Sequence, residues 1–190
     1  MGLFGTSFME ATAATIEIQV EDLSQLFDSL DPFPFRERDL DKSAEEYIVG
    51  WAREIGKNQA IEIVIHVPQK AKDVTSTSDI QSAIQKYFAY KSGLIDRDLS
   101  ELFRIGRQSL LVGIAVLGTC MVLREFSLAA FGAEGVGRAL NEGLLILGWV
   151  ANWRPLEIFL YDWWPLTRRR DLYRRLSNAK VLISAREVEA

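Results

Sequence analysis

Residues 109–123 read SLLVGIAVLGTCMVL, and residues 144–153 read LLILGWVANW, running on as RPLEIFLYDWWPLTRRR to position 170. Two apolar stretches with a charge-poor connection, then an aromatic belt and an arginine cluster, form the pattern of a membrane hairpin closed by a basic stop. A spanning helix needs about 20 residues at about 1.5 Å each. The strictly apolar part of the first stretch has 15, so it reaches spanning length only by continuing through Arg124 and Glu125 to Phe131. The second must take in 140–161, and with them Asn152, Arg154, Pro155 and Glu157. Near a span's end the Arg124 guanidinium can snorkel to the interface, which makes it tolerable there.

Lysine and arginine set the expected orientation. The twenty residues before Ser109 hold Lys91, Arg97, Arg104 and Arg107, and the segment after Leu166 holds Arg168, Arg169, Arg170, Arg174, Arg175 and Lys180. The connection 126–143 holds only Arg138. Both termini are therefore expected on the cytoplasmic side. Charge is divided along the chain as well: residues 1–60 carry twelve acids against five bases, and residues 160–190 carry four against seven. The basic tail suits anionic headgroups.

Outside the apolar region the periodicity changes. Thr15 to Val20 alternates with Ile16, Ile18 and Val20 on one side, and 60–67 (AIEIVIHV) alternates with Ile61, Ile63, Ile65 and Val67, so both read as strands. A short helix is expected over 22–30, then an extended passage through Pro32 and Pro34 with Phe33 and Phe35 as apolar pegs. Ser43-Ala44-Glu45-Glu46 fits a capping box for a helix whose buried face is Ala44, Tyr47, Ile48, Trp51 and Ile55, closed by Gly56 in the left-handed conformation. A helix over 79–91 follows, interrupted by Gly93 and resumed over 96–108, and 179–186 reads as a third strand. The fold class expected is a small cytoplasmic α/β (or α+β) domain with a transmembrane α-helical hairpin. Its divisions are a flexible 1–14, the cytoplasmic domain 15–107, the hairpin 108–166, and a basic segment 167–190 whose strand returns to the domain.

Little in the chain is suited to catalysis. One cysteine, Cys120, and one histidine, His66, exclude an intrachain disulfide and a zinc site of usual spacing. Glycine-rich phosphate loops and nucleophile elbows are absent, and the acid pairs Glu21-Asp22 and Glu45-Glu46 sit at helix starts or on solvated faces. No cofactor is implied, and the acidic balance argues against nucleic acid. The first thirty residues lack a cleavable signal pattern; Gly2 formally matches a myristoylation site, read here as a loose start. The residues singled out are Asn152, Arg154, Glu157, Asp162 and Arg124 as polar groups at membrane depth or at an interface. Trp153, Tyr161, Trp163, Trp164, Arg168, Arg169 and Arg170 are singled out as interfacial anchors. Ala115 and Thr119, with Gly118 adjoining, and Gly148 with Asn152 offer small-residue contacts for helix packing.

The chain also resembles a family of uncharacterised bacterial two-span inner-membrane proteins, through AEEYIVGWARE (44–54), the 83–90 and 106–110 segments, and above all EGLLILGWVANWRPLEIFLYDWWP (142–165). The resemblance implies an inner-membrane location and two spans, and brings no catalytic residues. The role expected is a membrane-anchored, non-enzymatic interaction or assembly protein that self-associates, with the lipid bilayer as its first partner. The alternatives are an oligomeric channel or transport component lined by Arg154, Glu157 and Asn152, and an accessory subunit of a larger membrane complex.

Overall fold

Alternation of apolar and polar residues produces three strands, which pair side by side in a parallel sheet: β1 (Ala14–Gln19), β2 (Ile61–Pro68) and β3 (Lys180–Arg186), in the order β1-β2-β3. The computed structural model describes residues 13–28, 39–57, 59–68, 77–132 and 134–186. Phe33, Phe35, Pro32, Pro34, the Gly2 motif and most of the 70–78 loop lie outside them. The register Ile16↔Ile63↔Val181 and Ile18↔Ile65↔Ile183 puts the branched residues of all three strands on one face. Ile16, Ile63, Ile65 and Val181 there are at most 1% exposed. The opposite face carries Glu17, Glu62, His66 and Lys180, with Lys180 Nζ 3.3 Å from the Glu62 carboxylate across the register Glu62↔Lys180.

Five helices complete the described chain: α1 (Lys42–Glu54), α2 (Thr77–Phe131), α3 (Val136–Ala151), α4 (Trp153–Glu157) and α5 (Trp163–Ser177), with a π-helical segment (Ile158–Asp162) between the last two. The chain is thus mostly helical with a small parallel sheet, an α+β arrangement. It divides into two compact units, Met1–Gly93 with Arg169–Ala190, and Leu94–Arg168. The connection from β2 to its neighbour β3 therefore contains the whole of the second unit as an excursion.

Several local expectations are corrected. Gly93 does not interrupt a helix: α2 runs unbroken for 55 residues. A mid-helix glycine costs only about 1 kcal/mol relative to alanine, which its helix-forming neighbours absorb. The cap of α1 is Asp41, whose carboxylate accepts from Ser43 N at 2.8 Å and Ala44 N at 3.3 Å, so Ser43 is already inside the helix. The buried face of α1 is Ile48, Val49 and Ala52, while Tyr47 and Trp51 stand about half exposed. Tyr47 instead donates its hydroxyl to the Glu17 carbonyl of β1 at 3.2 Å. Gly56 does not close α1 in the left-handed region, because Ile55 is already extended; among described residues only Gly132 and Gly135 have positive φ. The short helix expected after β1 is a 3-10 turn, Leu23–Leu26, tightened by the Asp22 carboxylate accepting from Ser24 N.

Candidate functional site

In the second unit the last two-thirds of α2 lies against α3 and the segment after it, running antiparallel. Gly113 meets Asn152, Leu117 meets Gly148, and Arg124 donates to the Asn141 side chain. As the positions fall along α2, those on α3 rise by the same steps. The seam has a sharp period. From Leu99 onward the buried residues of α2 are Leu99, Gly106, Gly113, Cys120 and Ser127, one in every seven. Across from them the positions of reduced exposure include Gly137, Asn141, Leu144, Gly148, Ala151, Pro155 and Ile158, spaced alternately by four and three, with Asn152, Glu157 and Phe159 beside them. This 3.5-residue period is that of a left-handed helix pair.

The seam is built from small residues because the backbones come close. A Cβ on Gly113 would lie 2.6 Å from Asn152 Oδ1, one on Gly148 would lie 2.7 Å from Leu117 Cδ1, and one on Gly106 would lie 2.9 Å from Ile158 Cγ2. None of these positions can take a larger residue without movement. Cys120, 5% exposed, is a seam residue and nothing more in this geometry.

Asn152 ties the seam where α3 ends. Its own N–H goes to the Trp149 carbonyl at 3.0 Å, which leaves the Gly148 carbonyl without its usual helical donor. The Asn152 side chain replaces it: Nδ2 donates to Gly148 O at 2.9 Å and to Gly113 O on the facing helix at 3.0 Å. Three residues later Pro155, buried, has no N–H to give to the Ala151 carbonyl. Asparagine and proline together explain why α3 stops at Ala151 and a new helix starts at once.

The charged residues gather just past this break. Arg154 Nη1 lies 2.9 Å from Glu157 Oε2 and 3.2 Å from Asp162 Oδ2. Glu157 is reached by ordinary i,i+3 spacing. Asp162 is brought under Arg154 by the π segment, whose wider turn holds one residue more than an α turn. Trp163 sits half-buried with its indole N–H donating to the Phe159 carbonyl at 2.9 Å, and Phe159 stacks on Phe103 with centroids 6.2 Å apart. Trp153, Tyr161 and Trp164 are all more than half exposed. Of the three consecutive arginines, Arg170 pairs with its neighbour Asp171 at 2.8 Å, Arg169 lies 5.6 Å from the Tyr173 ring centroid, and Arg168 is exposed with no partner among the described residues. Ala115, Gly118 and Thr119 are exposed and take no part in this helix pair, whereas Gly148 and Asn152 do. Arg124, expected to reach the interface, has the Asn141 side chain as its partner.

The first unit holds a polar cluster that sequence reasoning missed. Glu45, in the first turns of α1, accepts from the hydroxyls of Tyr87 on α2 and Tyr173 on α5, each at 2.6 Å, with Lys91 Nζ 3.5 Å away. Burial pushes the Glu45 carboxyl up, but the two phenols and Lys91 together outweigh it and hold it below the usual range. Burial and the neighbouring carboxylate push both tyrosines above 10.0. One side chain thus joins three helices. Its partners Tyr87, Lys91 and Tyr173 lie far along the chain, so no local sequence signal could have found it.

No group of three or more metal-ligating side chains occurs among the described residues. No family model, curated protein or solved structure matches the chain.

Proposed function

We propose that this chain is a membrane-anchored, non-enzymatic interaction and assembly protein that self-associates in a bacterial inner membrane. Its anchor is a two-span hairpin of α2 and α3, and both termini with the strand-bearing unit lie in the cytoplasm. One observation carries the reading: α2 is long and apolar enough to cross a membrane, and only 11% of its most apolar 18-residue stretch is buried. Leu111, Val112, Met121, Val122 and Phe126 on α2, with Ile146, Leu147, Trp149 and Val150 on α3, are each more than half exposed. A water-soluble protein rarely leaves so continuous an apolar surface uncovered, whereas lipid chains cover it at no cost.

Length supports the same reading. Residues 111–131 of α2 extend about 30 Å, the thickness of a bilayer's hydrocarbon core. Arg154, Glu157 and Asp162 fall at the near end of that band, where their mutual pairing lowers the cost of the interface, and Trp153, Tyr161 and Trp164 suit the headgroup layer beside them. The non-enzymatic part of the proposal rests on a sequence with no nucleophile and base in recognisable spacing. The channel alternative is disfavoured because its lining residues are engaged: Asn152 by two carbonyls, Arg154 by two carboxylates.

The test is extraction from native membranes followed by mass measurement of the intact particle. Resistance to alkaline carbonate and a discrete homo-oligomer are expected. Release by carbonate would refute the anchor, and a particle containing foreign polypeptides would make the chain an accessory subunit instead.

A further inference from the structure

We infer that the arginine-lined groove on α2 just before its apolar stretch binds the phosphate of an anionic phospholipid. The inference rests on the membrane reading above and adds to it a specific headgroup class. The groove, about 490 Å³, is lined by Asp96, Arg97, Ser100, Glu101, Arg104 and Arg107. Positions 97, 104 and 107 stand at helical spacing on one side of α2, so the three guanidinium groups form a stripe. Arg107 and Arg104 precede Ser109 by about 3 and 8 Å along the axis, the depth of a headgroup layer. Arg97, about 18 Å before Ser109, adds attraction at longer range.

Arg97, Arg107 and Arg168 are the arginines of this unit left without a partner among the described residues, and two of the three lie on this stripe. Arg154 is neutralised by Glu157 and Asp162, and Arg138 by Glu142 at 3.2 Å. Within the groove Glu101 reaches Arg104 at 3.4 Å, and Asp96 has a partner of its own. Arg97 and Arg107 have no partner among the described residues. A phosphodiester offers what is missing: an anion that guanidinium groups grip by paired hydrogen bonds, held at a fixed depth by its acyl chains along the exposed apolar face of α2. A neutral zwitterionic lipid brings its own cation and gains less.

The experiment reconstitutes the full chain in nanodiscs of pure phosphatidylcholine and of an equimolar phosphatidylcholine–phosphatidylglycerol mixture, then counts lipids retained on the protein by native mass spectrometry. Failure to enter nanodiscs of either composition would refute the membrane reading itself. With wild-type protein inserted in both, preferential retention of phosphatidylglycerol is expected. R104Q/R107Q should still insert but lose that preference by about fivefold for each arginine removed. Unchanged preference in R104Q/R107Q would overturn the inference. So would an equal loss per charge removed in R138Q, which takes one charge from a paired arginine elsewhere on the unit. Displacement of the lipid by inorganic phosphate would overturn it in favour of a soluble phosphate ligand.

Discussion

In the strand-bearing unit Phe88 and Ile63 are fully buried and Ile84 is 1% exposed. In the helical unit the buried positions along α2 are chiefly glycine, cysteine and serine, while Leu111 is 70% and Ile146 63% exposed. On the proposed membrane reading, both arrangements answer the same physics. Against water, a unit gains stability by hiding large apolar side chains, at about 25 cal/mol per Å² removed from solvent. Against hydrocarbon that gain vanishes, and what favours association is close backbone contact and paired polar groups. Glycines at 106, 113 and 148 supply the first, and Asn152 and the Arg124–Asn141 bond supply the second.

The contrast can be broken at either end. Phe88→Ala should destabilise the strand-bearing unit by about 3–5 kcal/mol, read from denaturant unfolding in mild detergent, because it empties a fully enclosed site. Ile146→Arg changes an exposed residue and would be nearly neutral in a soluble protein. Here it should impair membrane insertion by about 2.5–3.5 kcal/mol, read as the fraction of chains integrated in a translocation assay. Gly148→Leu adds apolar volume to an apolar segment, yet should weaken the helix pair by about 1–3 kcal/mol because Leu117 already occupies the space.

Smaller effects sharpen the comparison. Glu45→Gln keeps the shape of the side chain and removes its charge, so the Tyr87 and Tyr173 bonds weaken from charged to neutral, a loss of about 1–2 kcal/mol for the first unit alone. The Glu45 carboxyl titrates below its unfolded value, so its contribution is present above about pH 4.5 and disappears as pH falls through the lower folded value. Wild-type stability should therefore drop at acid pH more steeply than that of Glu45→Gln. At the other end both tyrosines titrate above 10.0, so stability should fall again as pH rises past that value. Arg154→Gln should cost about 1 kcal/mol in detergent, since Arg154 and both of its partners are partly exposed.

The sheet was legible because period-two patterns are unambiguous: Ile61, Ile63, Ile65 and Val67 allow one facing, and all are buried. The pairing of Arg154 with Glu157 was legible because i,i+3 spacing is local. Asp162 as a second partner was not, since a π turn leaves no simple mark in the sequence. The seam of α2 was written in the chain as Gly106, Gly113, Cys120 and Ser127, but a search for large apolar residues passes over it. The Glu45 cluster depends on residues 42 and 128 positions apart in the chain, which no local pattern reports. Tyr47 and Trp51 look like core residues by hydrophobicity, but α1 turns Ile48, Val49 and Ala52 inward and leaves these two about half exposed.

The most direct measurement is the labelling of single cysteines by a membrane-impermeant maleimide, in a Cys120→Ser background, from each side of the membrane. The account predicts that Glu134→Cys is labelled from the outer side only, Glu54→Cys from the cytoplasmic side only, and Ile146→Cys from neither until detergent is added. Labelling of Ile146→Cys as fast as Glu54→Cys, in membranes that are still sealed, would place the helical unit in water and contradict it.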